Sequence, residues 1–224
     1  MTILTTRTFG SRAELDTALT ARLARALTAR GASAVMLSGG TTPMNAYRTL
    51  ARGPLAHDDR LHVLFSDERY VPAGSEGSNY YQARELLSAL ALPPGSLLSV
   101  PTHLPLAAAA ATFETQLMQL LSSGVRIGLG LLGLGADGHT GSLFNEADLV
   151  RARGHYAIAV QRPDGRAGIS VTPELLATVG EPVFVVAGPQ KRDAVRALCA
   201  GDPQLLAWRA VQGCDNVELW VSAE

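Results

Sequence analysis

One arrangement constrains this chain more than any other: a short apolar run, then glycine and polar residues, then a helix start, repeated along its length. Ala34-Val35-Met36-Leu37 reads as a buried strand running into Ser38-Gly39-Gly40-Thr41-Thr42-Pro43, with Thr42 suited to cap a helix and Pro43 to its first position. Val125 to Leu132 is strand-like and ends in Gly133-Leu134-Gly135-Ala136-Asp137-Gly138-His139. Val183-Phe184-Val185-Val186 leads through Ala187-Gly188-Pro189 into a helix predicted from Gln190 to Cys199. Strands alternating with helices predict an α/β fold, a Rossmann-like open and mostly parallel sheet flanked by helices on both faces. Ligands of such sheets bind outside the carboxyl ends of the strands, so the polar loops are expected to converge.

The remaining pattern fits that frame. Ser11 and Glu14 form a capping box, and Leu15, Leu19, Leu23 and Leu27 recur at helical spacing up to Gly31. Leu61 to Phe65 is a further strand, followed by a loop from Ser66 to Pro72. Ser78 and Asn79 are suited to cap a helix reaching Leu90, and Leu106 to Leu121 predicts a long Ala-rich helix. His155 to Val160, Ile169 to Val171, Pro182 to Ala187 and Val217 to Val221 are predicted strands. With 224 residues, 47% of them hydrophobic, and no repeat or linker, a single domain over 1–224 is expected.

A formal charge of -1 supplies no field to gather nucleic acid or an anionic membrane, so an anionic ligand must be held by a local site. The longest apolar stretch, Ile127 to Leu134, is far shorter than the ~20 residues of a membrane span. Met1 to Arg7 lacks the long apolar core of a secretory signal, and two cysteines, Cys199 and Cys214, suit a reducing compartment; a cytoplasmic protein is expected.

Four segments are candidates for chemistry. Ser38 to Thr42, between a strand and a helix start, is suited to cradle a phosphate with main-chain amides; an ordinary tight turn is the alternative. Asp67-Glu68-Arg69 at a strand end offers a guanidinium for a forked grip on phosphate, or else forms a solvated salt-bridged loop. His139, after the glycine hinge that contains Asp137 and Gly138, is placed to act as a general base, with Asp137 orienting the turn or the ring. Lys191 is the only lysine in a chain that otherwise uses arginine, and it falls in a first helical turn. His57, His62, His103 and His155 lack such settings and read as solvated or structural. One histidine two residues from one aspartate makes a poor metal site, so no metal is expected. Gly128-Leu129-Gly130-Leu131-Leu132-Gly133 formally matches a dinucleotide fingerprint, but it lies inside a predicted strand and opens no helix. Those glycines are expected to pack within the sheet, with no NAD and no other cofactor.

Together, S-G-G-T-T-P, D-E-R-Y-V-P with S-N-Y shortly after, L-G-L-G-A-D-G-H-T-G-S-L-F and V-A-G-P-Q-K resemble the 6-phosphogluconolactonase family over about residues 10 to 220. The resemblance implies a fold of the deaminase and ribose-phosphate isomerase type, no metal, and a small sugar-phosphate lactone opened in the pentose phosphate or Entner-Doudoroff route. It implies that His139 is the catalytic base and that Arg69 and Lys191 hold the phosphate. It also implies that Gly39, Gly40, Thr41 and Thr42 line the site, that Asp67 contacts sugar hydroxyls or positions Arg69, and that Asn79 supports the same loop. Two departures stand out. Phe144-Asn145-Glu146 replaces the usual F-P and is similar to the deaminases, and Gly168-Ile169-Ser170-Val171-Thr172 lacks the usual arginine, with Arg166 two residues before. Glucosamine-6-phosphate deaminase and a non-catalytic sugar-phosphate sensor are the alternative readings, although no basic DNA-binding segment is visible. The oligomeric state is open, a monomer being compatible.

Overall fold

The computed structural model describes residues 2–222. In chain order the elements are β1 (Ile3–Phe9), α1 (Arg12–Leu27), β2 (Ser33–Leu37), α2 (Met44–Ala51), β3 (Leu61–Phe65) and β4 (Asp67–Arg69). Then come α3 (Asn79–Gln82), α4 (Arg84–Leu90), β5 (Leu97–Leu98), α5 (Leu106–Ser122), β6 (Arg126–Leu132) and α6 (Glu146–Arg151). The chain closes with β7 (Ala157–Gln161), β8 (Ala167–Val171), α7 (Pro173–Leu176), β9 (Glu181–Val186), a 3-10 turn (Pro189–Lys191), α8 (Arg192–Cys199), α9 (Leu206–Val211) and β10 (Asn216–Ser222).

Seven strands form one sheet in the order β1-β10-β9-β6-β2-β3-β5, and each recorded pairing in it is parallel. The alternation along β2 explains its two-sided packing. Ala34 and Met36 join the core under α5, α8 and α9, while Val35 and Leu37 join the core under α1, α2 and α4. On α1, Leu15, Leu19, Leu23 and Leu27 are fully buried, and each such side chain contributes roughly 1.5–3 kcal/mol relative to exposure. Ser11 caps that helix by accepting from the Glu14 amide at 3.2 Å, and Glu14 returns the favour to the Gly10 amide.

From β2 the chain moves outward to β3 and β5, then crosses back to β6 on the other side of β2 and continues to β9 and β10. The loops after β2 and β6 therefore leave in opposite directions, which opens a crevice between them. In β6 the pairing with β2 slips after Ile127, leaving Gly128 without an opposite residue. A Cβ on Gly130 would lie 2.8 Å from Met36 Cε and 2.9 Å from Val179 Cγ1, so this glycine does pack within the sheet.

Several local expectations need correction. Thr42 does not cap α2: Pro43 holds the cap position with no side-chain hydrogen bond, because the chain bends through 40–43 before the helix starts. Residues 66–72 are not all loop, since Asp67–Arg69 forms β4. The helix expected up to Leu90 is broken at Ala83 into α3 and α4, and α8 starts at Arg192 after the 3-10 turn rather than at Gln190. The strands around 155–160 and 169–171 do not extend the main sheet. They form a separate antiparallel sheet of order β4-β8-β7, with β8 paired to β4 on one side and to β7 on the other, and Ile158, Val160, Ile169 and Val171 join the core cluster that includes α5.

Candidate active site

The loop after β2 is fastened from both sides. Tyr47 of α2 donates to the Ser38 carbonyl at 2.9 Å and accepts from the Ser38 amide at 3.2 Å; burial of the phenol pushes its pKa up. Arg12 of α1, paired with Asp16 at 2.8 Å, donates to the Thr42 carbonyl at 2.7 Å. Gly40 adopts φ +82, which a side chain would resist. Among the described residues no protein acceptor takes the amides of Gly39, Gly40, Thr41 or Thr42.

Glu68 joins the D-E-R segment to the S-N-Y segment. Its carboxyl is 3% exposed and accepts from the amides of Arg69 (2.8 Å), Asn79 (2.7 Å) and Tyr80 (2.8 Å) and from Ser78 Oγ (3.1 Å). Burial raises its pKa against the lowering effect of those amides. Asn79 is thereby set above Gly39: its Nδ2 donates to the Asp67 carbonyl at 2.8 Å, and a Cβ on Gly39 would fall 1.9 Å from its Oδ1. Asp67 accepts from Ser142 Oγ at 2.6 Å, and Arg69 donates through Nη1 to the Gly77 carbonyl at 2.9 Å.

The turn after β6 is closed by the Gly135 amide on the His139 carbonyl (2.8 Å) and by Thr140 Oγ1 on the Gly133 carbonyl (2.8 Å). Gly138 turns at φ +86, and Gly135 has no room for a Cβ, which would meet His139 Nδ1 at 2.1 Å. His139 Nδ1 lies 2.5 Å from Asp137 Oδ1, so the Nδ1-H tautomer is the one this contact favours, with Nε2 left as the basic nitrogen. Burial acts to raise the Asp137 carboxyl, but the hydrogen bond and charge of His139, helped by main-chain amides, outweigh it and hold its pKa below the ordinary value. The Phe144 ring packs 4.5 Å from the imidazole.

These segments meet with the Lys191 turn around one cleft of about 340 Å³. Its lining includes Ser38, Gly39, Gly40, Thr41, Thr42, Asp67, Arg69, Asn79, His139 and Lys191, ten residues singled out from sequence. Asp137 and Gly138 are not in the wall; they shape the turn behind His139. Arg162 lines the cleft as well and was missed, because it sits in Gln161-Arg162-Pro163-Asp164-Gly165-Arg166, which reads as a surface hairpin. Arg166 is not in the wall and pairs with Asp164 at 3.2 Å. Three cations, Arg69, Arg162 and Lys191, thus face one lining carboxylate, Asp67. Asn145 and Glu146 have structural work: Asn145 caps α6 by accepting from the Asp148 amide, and Glu146 pairs with Arg209 on the surface.

Elsewhere, His57 bonds the Leu90 carbonyl and His155 pairs with Glu114, both outside the cleft, and both cysteines are free. Among the described residues no cluster of three or more His, Cys, Asp or Glu is arranged to hold a metal, and no helix is long and apolar enough to cross a membrane.

Residues 11–220 match the family model described as glucosamine-6-phosphate isomerases/6-phosphogluconolactonase. A 6-phosphogluconolactonase of Synechocystis sp. is 35% identical over 208 residues, which cover 87% of this chain and 83% of that one. The crystal structure of 6-phosphogluconolactonase from Thermotoga maritima superposes with a TM-score of 0.81 at 25% identity, covering 99% of this chain and 100% of that chain. A monomeric glucosamine-6-phosphate deaminase also superposes at 0.81 over 98% of this chain and 91% of that one, at 16% identity, a likeness of fold alone. The chain belongs to the glucosamine-6-phosphate isomerase and 6-phosphogluconolactonase family.

Proposed function

We propose that this cleft hydrolyses 6-phospho-D-glucono-1,5-lactone to 6-phosphogluconate, a step of cytoplasmic sugar-phosphate metabolism, with His139 as general base. The observation that carries the reading is the joint presence of an oriented imidazole and a cation-rich wall with free amides in one small cleft. The phosphate is held by Arg69, Lys191 and the amides of residues 39–42, and C1 of the lactone then lies beside His139. Nε2 of His139 takes a proton from water as that water adds to C1. The negative oxygen so formed is met by main-chain amides of a glycine loop. The C1 to ring-oxygen bond then breaks, and His139 returns the proton to the departing ring oxygen. Asp137 keeps the ring in the tautomer this sequence needs. Asp67, already accepting from Ser142, remains beside the sugar hydroxyls.

The deaminase reading loses its sequence argument, since Glu146 is engaged with Arg209 and does not line the cleft. A coupled assay that generates the lactone in place and follows acid release tests the proposal. Release well above the uncatalysed rate is expected. Release at that rate, together with ammonia formed from glucosamine 6-phosphate, would favour the deaminase instead.

A further inference from the structure

A guanidinium held in a protein wall with most of its donors unspent calls for an acceptor that the protein does not supply. Arg162 opens the turn Arg162-Pro163-Asp164-Gly165, closed by the Gly165 amide on the Arg162 carbonyl at 3.0 Å. Its side chain is 17% exposed. Nη1 donates to Ser142 Oγ at 3.1 Å, whereas Nε is buried without a hydrogen-bond partner among the described residues. Asp164 Oδ2 stands 3.6 Å from Nε, beyond a hydrogen bond. Asp164 therefore offsets part of the charge without filling the Nε donor, and no hydrogen bond joins Arg162 to Asp67, whose oxygens accept from Ser142, Ser66 and Asn79. The Phe144 ring centroid lies 5.2 Å from the guanidinium carbon, and the same ring packs on His139.

We propose that Arg162 is a phosphate ligand of this cleft, the third cation of a grip shared with Arg69 and Lys191. The assignment rests on the sugar-phosphate reading above. In the cleft wall three cations stand against the one carboxylate of Asp67, and even with Asp164 offsetting Arg162 from behind, the wall keeps a positive excess suited to a phosphate carrying roughly -1.5 to -2 charges. The Arg162 stem lies alongside Gly168 of β8: a Cβ there would be 3.5 Å from Arg162 Cδ, an ordinary contact, and 3.2 Å from the Glu68 carbonyl oxygen, the tighter one. The guanidinium reaches the cleft from just past the end of β7, beside the bare position 168 on β8.

Inorganic phosphate is the probe, measured by titration calorimetry on the full chain. R162A is expected to weaken phosphate binding about 10- to 100-fold, the range of a charge-assisted contact. R162K falls between, since an ammonium keeps the charge but loses the fork, and R166A binds as the unaltered protein does. The exchange R162A/G168R, which carries the guanidinium one strand over, regains part of the lost affinity. With lactone as substrate, R162A raises KM more than it lowers kcat. Unaltered phosphate affinity in R162A, or a loss confined to kcat, overturns the assignment. If R162A fails to fold, R162K decides, and full affinity in it overturns the assignment equally. Phosphate binding that depends on Arg162 in a protein that does not open the lactone would reject the lactonase reading and leave Arg162 in place, so the two claims fail separately.

Discussion

The loop after β2 and the turn between β7 and β8 both line the cleft, yet they are held in unlike ways. The first is a strand end of the parallel sheet, pinned by Tyr47 and Arg12, and it presents main-chain amides that no protein acceptor takes among the described residues. The second belongs to the small antiparallel sheet, which turns long cationic side chains to the cleft, Arg162 from this turn and Arg69 from the end of β4, each steered by a single side-chain hydrogen bond from one nitrogen. A main-chain wall tolerates almost no change of shape, because every added atom enters the space meant for the ligand. A side-chain wall can move its charges between strands as long as they reach the same point. The contrast fits a chain in which S-G-G-T-T-P keeps the resembled pattern while position 168 is glycine and Arg162 lies nearby.

The sharpest way to break the comparison is to crowd the main-chain wall. G39A puts a Cβ 1.9 Å from Asn79 Oδ1, a side chain buried to 1% and tied to Asp67. The loop must shift, and kcat/KM is expected to fall about 10²-fold, the cost of roughly an ångström of misplacement. Tolerance of G39A in steady-state kinetics would remove the distinction between the two walls. Next in size is E68Q, which puts an amide NH₂ among four donors at the base of the side-chain wall. It should cost about 1–3 kcal/mol in urea unfolding and raise KM while kcat is better preserved. An unchanged unfolding midpoint would show that Glu68 does not hold that wall. D137N is expected to lower kcat about tenfold. A buried triad aspartate is worth roughly 10⁴-fold, and Asp137 at 58% side-chain exposure is far less isolated from water.

The smallest effect is on acid stability. The folded Asp137 carboxyl titrates below its ordinary value of 3.8. Its contribution is thus fully present above that value and is lost as pH falls through the lowered one, the unfolded chain taking up the proton first. Urea midpoints of D137N should show a slightly shallower decline on acidification than the unaltered protein, and a steeper one would reverse the sign.

Much of the main-chain wall was legible in the sequence. Strand-then-glycine segments at Leu37, Leu132 and Val186 announce parallel strand ends, and three of the four chemical segments follow such ends directly. The capping box at Ser11 and the buried leucines of α1 were equally plain, because both depend on spacing within one helix. The small sheet was not legible. Asp67–Arg69 is three charged residues with no apolar alternation, and it becomes a strand only because β8, about a hundred residues later, offers it partners. Arg162 was hidden for the same reason, since P-D-G beside it signals a turn and nothing local says that the turn overhangs a cleft. Thr42 was misread because a good cap residue was assumed to sit at the helix start, whereas here the loop geometry leaves the capping position to Pro43. β1, whose polar and charged residues alternate with little apolar content at the sheet edge, also lacked a local signal.

The most direct test sets the imidazole apart from the anion grip in a single protein. His139→Ala should lower kcat by about 10²–10⁴-fold while phosphate affinity, measured on the same preparation, stays within about twofold of the unaltered chain. Full turnover in that variant, or loss of phosphate binding in step with turnover, would contradict the division of labour between one base and three cations.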